Sequence, residues 1–559
     1  MSKYDNFSRE ELIELLQKQD RELSLKKYGL IWDSEKEPEK VVVDCAKKLP
    51  ILKSVPEKDI KTNDDDYNIM IEGDNYHALQ VLNYTHKEKI DVIYIDPPYN
   101  TGNKEGQFVY NDKFVDKEDG YRHSKWLNFM EKRLELAKEL LKEDGVIFIS
   151  IDDNEFTNLT LLCQKIFGEE NVENIIWHKV DDDSGRMKIT YRIRREHEYI
   201  LICYKQKNNV FFKKFKSQRN YKNEYSNPDN DPRGAYKQGI ISTTEAKSRV
   251  GGKNYYTVIT PSGRAINRQW RITQSEFEIL RQDNRIYFGK TGDSIPSLKV
   301  FINEDKETTP ISIFKDLGTA KTAGRELFEM FGKKVFNYPK PVDLIKRLFE
   351  ISTKKEALVL DFFAGSGTTA HALLELNEED KGERHFILCT NNEGNIATDV
   401  CYPRVQKIIN GYKKNGDGEL IDGLGGNLKY FRTNFVENSK NTTQTKINLA
   451  RQCSEMLCLK TGRFNQIINN PSFKIFSNNK NNQYTCIYFD CFDTDMKDFI
   501  SEIGKLDGHK DVYVFSLTDA VDTSLFSGIS GVKLEAIPYK ILDLYKRIVK
   551  AHIKGGNND

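Results

Sequence analysis

The chain has 559 residues, of which 38% are hydrophobic and 30% charged, and its formal net charge is +1. This length favours three or four domains, and the composition is typical of a globular protein with a large core. A net charge this close to zero excludes a bulk attraction for nucleic acid, so such binding would require local basic patches. No apolar run reaches the ~18 residues that cross a bilayer. No signal peptide opens the chain, and a cytoplasmic protein is therefore predicted.

A first helix is predicted over residues 8–24. Ser8 and Glu11 have the spacing of a capping box. Apolar residues follow at helical spacing, namely Leu12, Ile13, Leu15 and Leu16. The apolar face packs either on its own chain, which is the favoured interpretation, or on a partner subunit.

Strands and helices alternate over the next part of the chain. Strands are predicted over residues 67–71, 91–95 and 145–151, with one helix through Ala78 and Leu82 and another from Trp126 to Leu141. This alternation predicts a parallel sheet with helices on both faces. The pattern breaks between about residues 180 and 330, where basic, Asn-rich and Gly-rich segments separate short strand-like pieces, and it resumes near Val342.

The second predicted strand ends in Asp96-Pro97-Pro98-Tyr99, here called the DPPY turn (residues 96–99). An amino group conjugated to an aromatic ring is a poor nucleophile because its lone pair is delocalised. The Asp96 carboxylate and the Pro97 carbonyl can accept both of its N–H groups and free the lone pair, while the prolines stiffen the turn. Tyr99 offers a face on which an unstacked base can lie. An ordinary strand-ending turn with two prolines is the alternative.

A second strand, residues 358–360, runs into Asp361-Phe362-Phe363-Ala364-Gly365-Ser366-Gly367-Thr368, here called the glycine loop (residues 361–368). Its glycines allow close approach to a ligand, and the helix predicted from Thr368 offers free N–H groups. No third glycine stands where a dinucleotide pyrophosphate needs one, so that site is the weaker interpretation. S-adenosyl-L-methionine, which has no phosphate, suits this loop better. Open α/β sheets bind ligands at such strand ends.

With the DPPY turn ahead of the glycine loop, the chain resembles the β-class DNA adenine-N6 methyltransferases. Within them it is similar to the modification (Mod) subunit of type III restriction–modification systems over residues 60–410. The resemblance implies an α/β fold: a circularly permuted, doubly wound, Rossmann-like sheet with an inserted target-recognition region and a C-terminal α/β module. It implies S-adenosyl-L-methionine as cofactor, and catalysis by Asp96, Pro97, Pro98 and Tyr99 on a flipped-out adenine.

The resemblance also assigns cofactor contacts. Asp74 matches an acid that contacts the cofactor adenine. The segment around Asn337, Lys340 and Pro341 resembles one that packs over the methionine end of the cofactor. In the glycine loop the implied contacts are Asp361, Phe363, Ala364, Gly365, Ser366, Gly367 and Thr368. The chain departs from the family at Phe362, where proline is usual, and at Thr390, where an acid for the ribose is expected; ribose contact is therefore assigned to Asn392 or Glu393.

Adenine is favoured over cytosine as the target base. Enzymes that methylate cytosine N4 usually carry serine where this chain has Asp96. Methylation of cytosine C5 needs a cysteine nucleophile, and the Pro-Cys dipeptide typical of that class is absent from the sequence. A solitary adenine or cytosine-N4 methyltransferase without a restriction partner remains the alternative, and an RNA or protein methylase is less favoured.

Basic and aromatic residues are interleaved between the two motifs. Residues 205–225 hold seven lysines or arginines against one acid, Glu224. Basic side chains can neutralise phosphates and arginines can read base edges, although a solvated surface is the alternative for any single residue. We predict that this region recognises double-stranded DNA, with contacts from Arg186, Arg192, Arg194, Lys213, Lys214, Lys216 and Arg219.

The predicted organisation has five regions. These are an N-terminal helical arm (1–60), a catalytic half (61–180), a target-recognition region (181–330), a cofactor-binding half (331–425) and a C-terminal module (426–559). The C-terminal module could serve dimerisation, docking of a nuclease subunit or structural support. No P-loop, helicase or nuclease motif is apparent. DNA cleavage would therefore need a partner, and the resemblance implies a homodimer and an ATP-dependent restriction (Res) subunit in the bacterial cytoplasm. A second hypothesis makes specificity and docking of that subunit the main role.

No metal is predicted. The nine cysteines form no C-x-x-C pair, so buried reduced thiols are expected, with a zinc site or disulfides as the less favoured alternative. His197 lacks a second histidine four residues later, and a structural role is predicted for it.

Overall fold

The computed structural model describes residues 39–63, 66–102, 108–111, 113–180, 193, 195–210, 212–216, 225–301, 307–416, 418–439, 441–478, 482–490, 495–518 and 520–553. The helix predicted over residues 8–24 lies outside the described residues. The chain divides into two compact units, one formed by Met1–Phe211 with Ile311–Asp559 and the other by Phe212–Pro310.

The described helices alternate with strands along most of the chain. The helices are α1 (Lys40–Asp44), α2 (Asn75–Thr85), α3 (Arg122–Leu140), α4 (Phe156–Phe167), α5 (Gln274–Gln282), α6 (Ala320–Phe331), α7 (Val342–Ser352), α8 (Thr368–Asp380), α9 (Tyr402–Asn410), α10 (Thr442–Gln452), α11 (Ser454–Thr461), α12 (Met496–Gly504) and α13 (Tyr539–Ile553). The first strands are β1 (Lys48–Ser54), β2 (Tyr67–Glu72), β3 (Ile90–Ile95), β4 (Val109–Tyr110), β5 (Lys113–Phe114), β6 (Leu141–Ile151), β7 (Val172–His178), β8 (His197–Tyr204) and β9 (Phe215–Lys216).

The remaining strands follow in chain order. They are β10 (Tyr236–Gly239), β11 (Tyr255–Ile259), β12 (Ala265–Gln269), β13 (Ile286–Tyr287), β14 (Ser297–Phe301), β15 (Glu307–Thr308), β16 (Ile313–Phe314), β17 (Leu358–Asp361), β18 (His385–Thr390), β19 (Gly411–Lys413), β20 (Leu420–Asp422), β21 (Asn427–Glu437), β22 (Asn465–Asn469), β23 (Phe473–Ser477), β24 (Gln483–Tyr488), β25 (His509–Phe515) and β26 (Val532–Ile537).

The first unit is built on a ten-stranded sheet. Its order is β1-β21-β2-β18-β17-β3-β6-β8-β7-β16. The strands from β21 to β6 are mutually parallel, whereas β1 and β8 pair antiparallel with their inner neighbours. The late strands β17 and β18 lie between the early strands β2 and β3. This is the predicted α/β class with its permuted strand order.

Both faces of the central strands are covered. In β3, Ile93 and Ile95 join a core that includes Leu79 of α2 and Leu134 of α3. Val92, which alternates with them and therefore points to the opposite face, is also fully buried. Parallel strands buried on both faces need nearly continuous apolar sequence, which explains why these strands are visible in the sequence.

The C-terminal part of the first unit differs from the predicted boundary at 425/426. Strand β21 pairs with β1 and β2 in the large sheet, because Leu428, Tyr430 and Phe431 supply buried apolar surface there. A separate five-stranded sheet, β22-β23-β24-β25-β26, begins only at Asn465. Helix α13 returns to the large core through Tyr545, whose hydroxyl donates a 2.9 Å hydrogen bond to the Pro50 carbonyl.

The second unit, Phe212–Pro310, lies inside the wider region 181–330 predicted for target recognition. Strands β7, β8 and β16 at the borders of that region belong to the large sheet. The unit contains the small sheets β10-β14-β13, β11-β12 and β9-β15. Its core includes Trp270 and Phe277, and buried Lys299 forms an ion pair of 2.9 Å with Asp231.

Three classes of feature are absent from the described residues. None of their helices is long and apolar enough to cross a membrane. No three histidine, cysteine or acidic side chains are grouped as a metal site. The eight described cysteines are buried and free of disulfides.

Candidate functional site

The sheet brings the two sequence motifs to one edge. Strand β3 ends immediately before Asp96, and β17 ends at Asp361. The two strands are parallel neighbours, with Val92 opposite Val359 and Ile93 opposite Leu360. The DPPY turn and the glycine loop therefore leave the sheet side by side, at the carboxyl edge where open α/β sheets bind ligands.

A single lysine connects the groups of the DPPY turn. Nζ of Lys340 lies 3.1 Å from Oδ1 of Asp96 and 3.4 Å from Oε2 of Glu198. It also donates a 2.7 Å hydrogen bond to the Tyr99 hydroxyl, which donates in turn to Glu198 at 3.1 Å. Lys179 completes the cluster with a 2.9 Å bond to the other oxygen of Glu198.

Burial and opposite charge compete at each ionisable group of this cluster. Burial raises the pKa of Asp96, and the charge of Lys340 offsets only part of that rise. Burial alone would lower the pKa of Lys340, but Asp96 and Glu198 more than offset it and the pKa is raised. Burial would likewise raise the pKa of Glu198, yet Lys340 and Lys179 leave it lowered. The alternating charges thus favour the ionised forms of Lys340 and Glu198, whereas the pKa of Asp96 stays raised.

Two further contacts hold the DPPY turn in place. The indole N–H of Trp126, on α3, donates a 2.7 Å hydrogen bond to the Pro98 carbonyl. The amide of Asn100 donates to buried Glu155 at 2.5 Å, and Glu155 also contacts His123 at 2.6 Å. The second half of the turn and the residue that follows it are therefore held by hydrogen bonds.

The glycine loop is held together from within by Asp361. Its carboxylate accepts a 3.0 Å hydrogen bond from the Phe363 N–H and a 2.6 Å hydrogen bond from the Thr369 hydroxyl. The side chain is buried, and burial, with a smaller contribution from the charge of Asp96, raises its pKa to about 7. This acid ties the strand end to the start of α8.

The two glycines have conformations that other residues rarely adopt. Gly365 has φ +49° and Gly367 has φ +79°, both in the left-handed region. A Cβ added at Gly365 would lie 3.5 Å from the Phe336 ring, and one at Gly367 would lie 3.2 Å from Sγ of Cys401. A side chain at Gly365 or Gly367 would therefore be strained by its backbone conformation, and at Gly367 it would also crowd Cys401.

Arg404 forms hydrogen bonds with two side chains of the glycine loop. Its buried guanidinium donates to the Thr368 hydroxyl at 2.9 Å and to the Ser366 hydroxyl at 3.2 Å. Burial lowers the pKa of this arginine to about 10. These hydrogen bonds fix the hydroxyls of Ser366 and Thr368 within the loop.

The other predicted cofactor residues have varied surroundings. Asp74 caps α2 by accepting a 2.8 Å hydrogen bond from the Tyr76 N–H, at the end of β2. Pro341 is the residue before α7 and is buried, whereas Asn337 is exposed. After β18, the side-chain oxygen of Asn392 accepts hydrogen bonds from the N–H and the hydroxyl of Thr398, and Glu393 is exposed.

The predicted DNA contacts are only partly described. Lys213 is half-buried and Lys214 is exposed, both in the second unit. Arg186, Arg192, Arg194, Arg219 and the side chain of Lys216 lie outside the described residues.

Two of the residues around Lys340, Glu198 and Lys179, were not predicted as site residues from the sequence. Strand β8 is antiparallel to β6 and β7, so its first residues lie at the carboxyl edge beside the DPPY turn. One signal was present: Glu198 shares a strand face with Ile200 and Ile202, where an acid is out of place. His197, the residue weighed in the sequence, instead contacts the Tyr199 hydroxyl at 3.0 Å.

Comparison with known proteins identifies similar chains. The family model described as DNA methylase matches residues 90–398, more than half of the chain. The type III StyLTI Mod subunit of Salmonella typhimurium is 35% identical over 386 residues, which are 64% of this chain and 58% of that protein. The EcoPI Mod subunit of Escherichia phage P1 is 33% identical over 449 residues, 69% of this chain and 67% of that protein.

Shorter relatives and solved structures are also similar. The type II methyltransferase M.KpnI of Klebsiella pneumoniae is 31% identical over 394 residues, 65% of this chain and 88% of that protein. A putative DNA modification methylase of Thermus thermophilus, solved with S-adenosyl-L-methionine, has a TM-score of 0.29 and 14% identity over 64% of this chain and 98% of its own. The chain thus spans less than two thirds of the StyLTI Mod subunit and most of M.KpnI.

Proposed function

The chain belongs to the DNA methylase family, and we propose on that basis that it methylates adenine N6 in double-stranded DNA, with S-adenosyl-L-methionine as the donor. The observation that carries this proposal is the pairing of β3 with β17, which places Asp96 and Tyr99 beside the glycine loop. A methyl acceptor and a methyl donor would then meet at one sheet edge. Bringing the reactants together is a large part of such catalysis.

The glycine loop fits the proposed cofactor by its shape and charge. Residues 361–368 contain no lysine or arginine to bind a phosphate, and two acids, Asp96 and Asp361, end the neighbouring strands. The sulfonium of S-adenosyl-L-methionine supplies an electrophilic methyl group with a positive charge. Acids suit that cation better than they suit a pyrophosphate.

The DPPY turn has the groups that activate an aromatic amine. Asp96 and the Pro97 carbonyl accept the two N6–H bonds, which draws the nitrogen lone pair out of conjugation and toward the methyl group. Asp96 also stabilises the positive charge that develops on N6 as the new N–C bond forms and the methyl–sulfur bond breaks. The leaving group is S-adenosyl-L-homocysteine, a neutral thioether, and the methylated nitrogen then loses one proton to water. Tyr99 stacks on the base after it leaves the duplex.

We assign the remaining cofactor contacts to residues near this edge. Asp74 and Asn337 face the adenine and methionine ends, and Glu393 or Asn392 the ribose. The exposed carboxylate of Glu393 is the better ribose acceptor, because the side-chain oxygen of Asn392 already accepts hydrogen bonds from Thr398.

We further assign target recognition to the second unit, Phe212–Pro310, and to the arginines that precede it in the sequence, Arg186, Arg192 and Arg194. The similarity to the StyLTI and EcoPI Mod subunits supports a modification subunit that dimerises and joins an ATP-dependent restriction (Res) subunit. Such a protein works on DNA in the bacterial cytoplasm.

The decisive experiment is methylation in a host without adenine methylation. The chain is expressed there, and the genomic DNA is sequenced with detection of modified bases. N6-methyladenine at one short motif, absent with the Asp96→Ala chain, is the expected result. N4-methylcytosine would overturn the assigned base, and unmodified DNA despite cofactor binding by the purified protein would overturn the DNA substrate.

A further inference from the structure

Lys340 joins two acids that come from different parts of the chain. Its side chain is 10% exposed, yet it lies 3.1 Å from Asp96 and 3.4 Å from Glu198. Its ammonium also lies 4.7 Å from the centre of the Tyr99 ring, in addition to its hydrogen bond with the hydroxyl. A single cation thus touches both the carboxylate and the aromatic ring that the proposed reaction uses.

The fold holds this lysine firmly. Pro341 follows it, with φ −63°, and is the N-cap residue of α7. A proline disfavours helical backbone at the residue before it, so α7 does not extend back to Lys340. On the other side, Glu198 is fixed by its 2.9 Å bond to Lys179 at the end of β7. Both partners of the ammonium are therefore anchored independently.

We propose that Lys340 is a positioning residue of the methyl transfer, which keeps Asp96 charged as a hydrogen-bond acceptor and fixes the Tyr99 ring beside it. The inference rests on the proposed function.

Glu198 has the complementary role in this arrangement. A lysine alone would cancel the negative charge that a nitrogen gaining a methyl group needs nearby. Asp96, Lys340, Glu198 and Lys179 alternate in charge and sum to zero. Because Lys340 divides its charge between two acids, it can hold Asp96 without pairing with that carboxylate alone. Glu198 is thus assigned as the counter-ion of Lys340.

The same geometry predicts how the reaction depends on pH. The ionisable groups that face Asp96 are Lys340, Glu198 on β8, Asp361 on β17, Tyr94 on β3 and Tyr99 on its own turn. Lys179 and Asp152 face Glu198. Burial raises the pKa of Asp96 most, the charge of Lys340 lowers it and the charge of Glu198 raises it. Since ionised Asp96 is the stronger acceptor for the N6–H bond and opposes the positive charge that develops on N6, the rate falls as pH falls through this pKa.

Two variants should therefore move the acid limb of the pH profile in opposite directions. Lys340→Met removes the lysine charge, and the limb should move to higher pH by about one to three units. Glu198→Gln removes an acid that raises the Asp96 pKa, and the limb should move to lower pH. Both are measured as single-turnover methylation rates on DNA that contains the recognised motif, so that product release does not obscure the step.

The controls separate positioning from a merely structural effect. Lys340→Arg keeps the charge and should keep the limb near its normal pH. Lys354→Met breaks an exposed ion pair with Asp144, 2.8 Å long, and should leave the whole profile unchanged. Cofactor affinity is measured by calorimetry for each variant and should change little.

The role of Lys340 would be overturned if the acid limb of the pH profile stayed in place in both variants. It would also be overturned if the limb moved in the same direction for Lys340→Met and Glu198→Gln. Either result would leave the proposed function intact. An unmodified chain without activity would overturn both. If Lys340→Met fails to fold, the Glu198→Gln and Lys340→Arg profiles decide: a limb that stays in place with Glu198→Gln overturns the inference.

Discussion

Two aspartates end adjacent parallel strands, yet their surroundings differ. Asp361 is 2% exposed and accepts both of its hydrogen bonds from its own loop and the helix that follows. Asp96 keeps 25% of its side chain exposed, and its ion-pair partner, Lys340, comes from a distant segment. The first acid stabilises its own loop. The second faces outward and needs a counter-ion from elsewhere.

The comparison shows that position in a fold does not fix chemistry. Burial raises the pKa of Asp361 to about 7, so this carboxyl is close to half protonated at neutral pH. The same tendency acts on Asp96, but there the charge of Lys340 opposes it. A strand end supplies the location of an acid, and the neighbours that the tertiary fold adds decide whether it is structural or reactive.

The largest effect should come from Asp96→Ala. We expect the single-turnover methylation rate to fall by about 10³-fold or more, since the acceptor for the amine and the charge opposite the developing cation are both lost. Cofactor affinity, measured by calorimetry, should remain within a few fold of the unmodified chain. Asp144→Ala, which removes an acid from an exposed ion pair, is the control and should retain full activity. Retained activity in Asp96→Ala would remove the distinction between the two aspartates.

Asp361→Asn should instead affect stability, and the loss should depend on pH. The folded pKa of Asp361 is raised above its unfolded value, so the folded state holds the proton more tightly. The tighter proton binding adds to the free energy of unfolding. This stabilisation is fully present below the unfolded pKa and is lost as pH rises through the folded pKa of about 7. The variant lacks it, so urea unfolding should show a larger loss of unfolding free energy at pH 5 than at pH 7.5. An equal loss at both values would mean that Asp361 is ionised in the fold.

The sequence was sufficient to predict the two strands that carry the site and the motif at the end of each. Strands β3 and β17 are buried on both faces, so they are continuous apolar runs, and the polar motif after each marks the strand end. Their neighbouring positions followed from the resemblance to a permuted methyltransferase. The cofactor role implied for Lys340 did not indicate its contact with Asp96, because that contact depends on how α7 packs.

Antiparallel strands and domain borders were harder to predict. Glu198 lies beside the DPPY turn because β8 pairs antiparallel with β6. A short apolar run does not show whether its strand will pair parallel or antiparallel. Residues 423–426, Gly-Leu-Gly-Gly, have the composition of a domain boundary, yet β21 begins directly after them and joins the large sheet. Turn composition marks a break in the local chain and does not show which sheet the next strand joins.

The smallest effect should come from the backbone of the glycine loop. Gly367 and Gly394 both have left-handed backbone, with φ +79° and +59°, and an alanine there costs about 1–2 kcal/mol through its backbone conformation. At Gly367 the added Cβ would also lie 3.2 Å from Sγ of Cys401, whereas nothing lies within 4 Å at Gly394. Gly367→Ala should therefore lose about 1 kcal/mol more unfolding free energy than Gly394→Ala, measured by urea denaturation. Equal losses would mean that the loop shifts freely, and that Asp361, despite its two internal hydrogen bonds, does not hold it rigid.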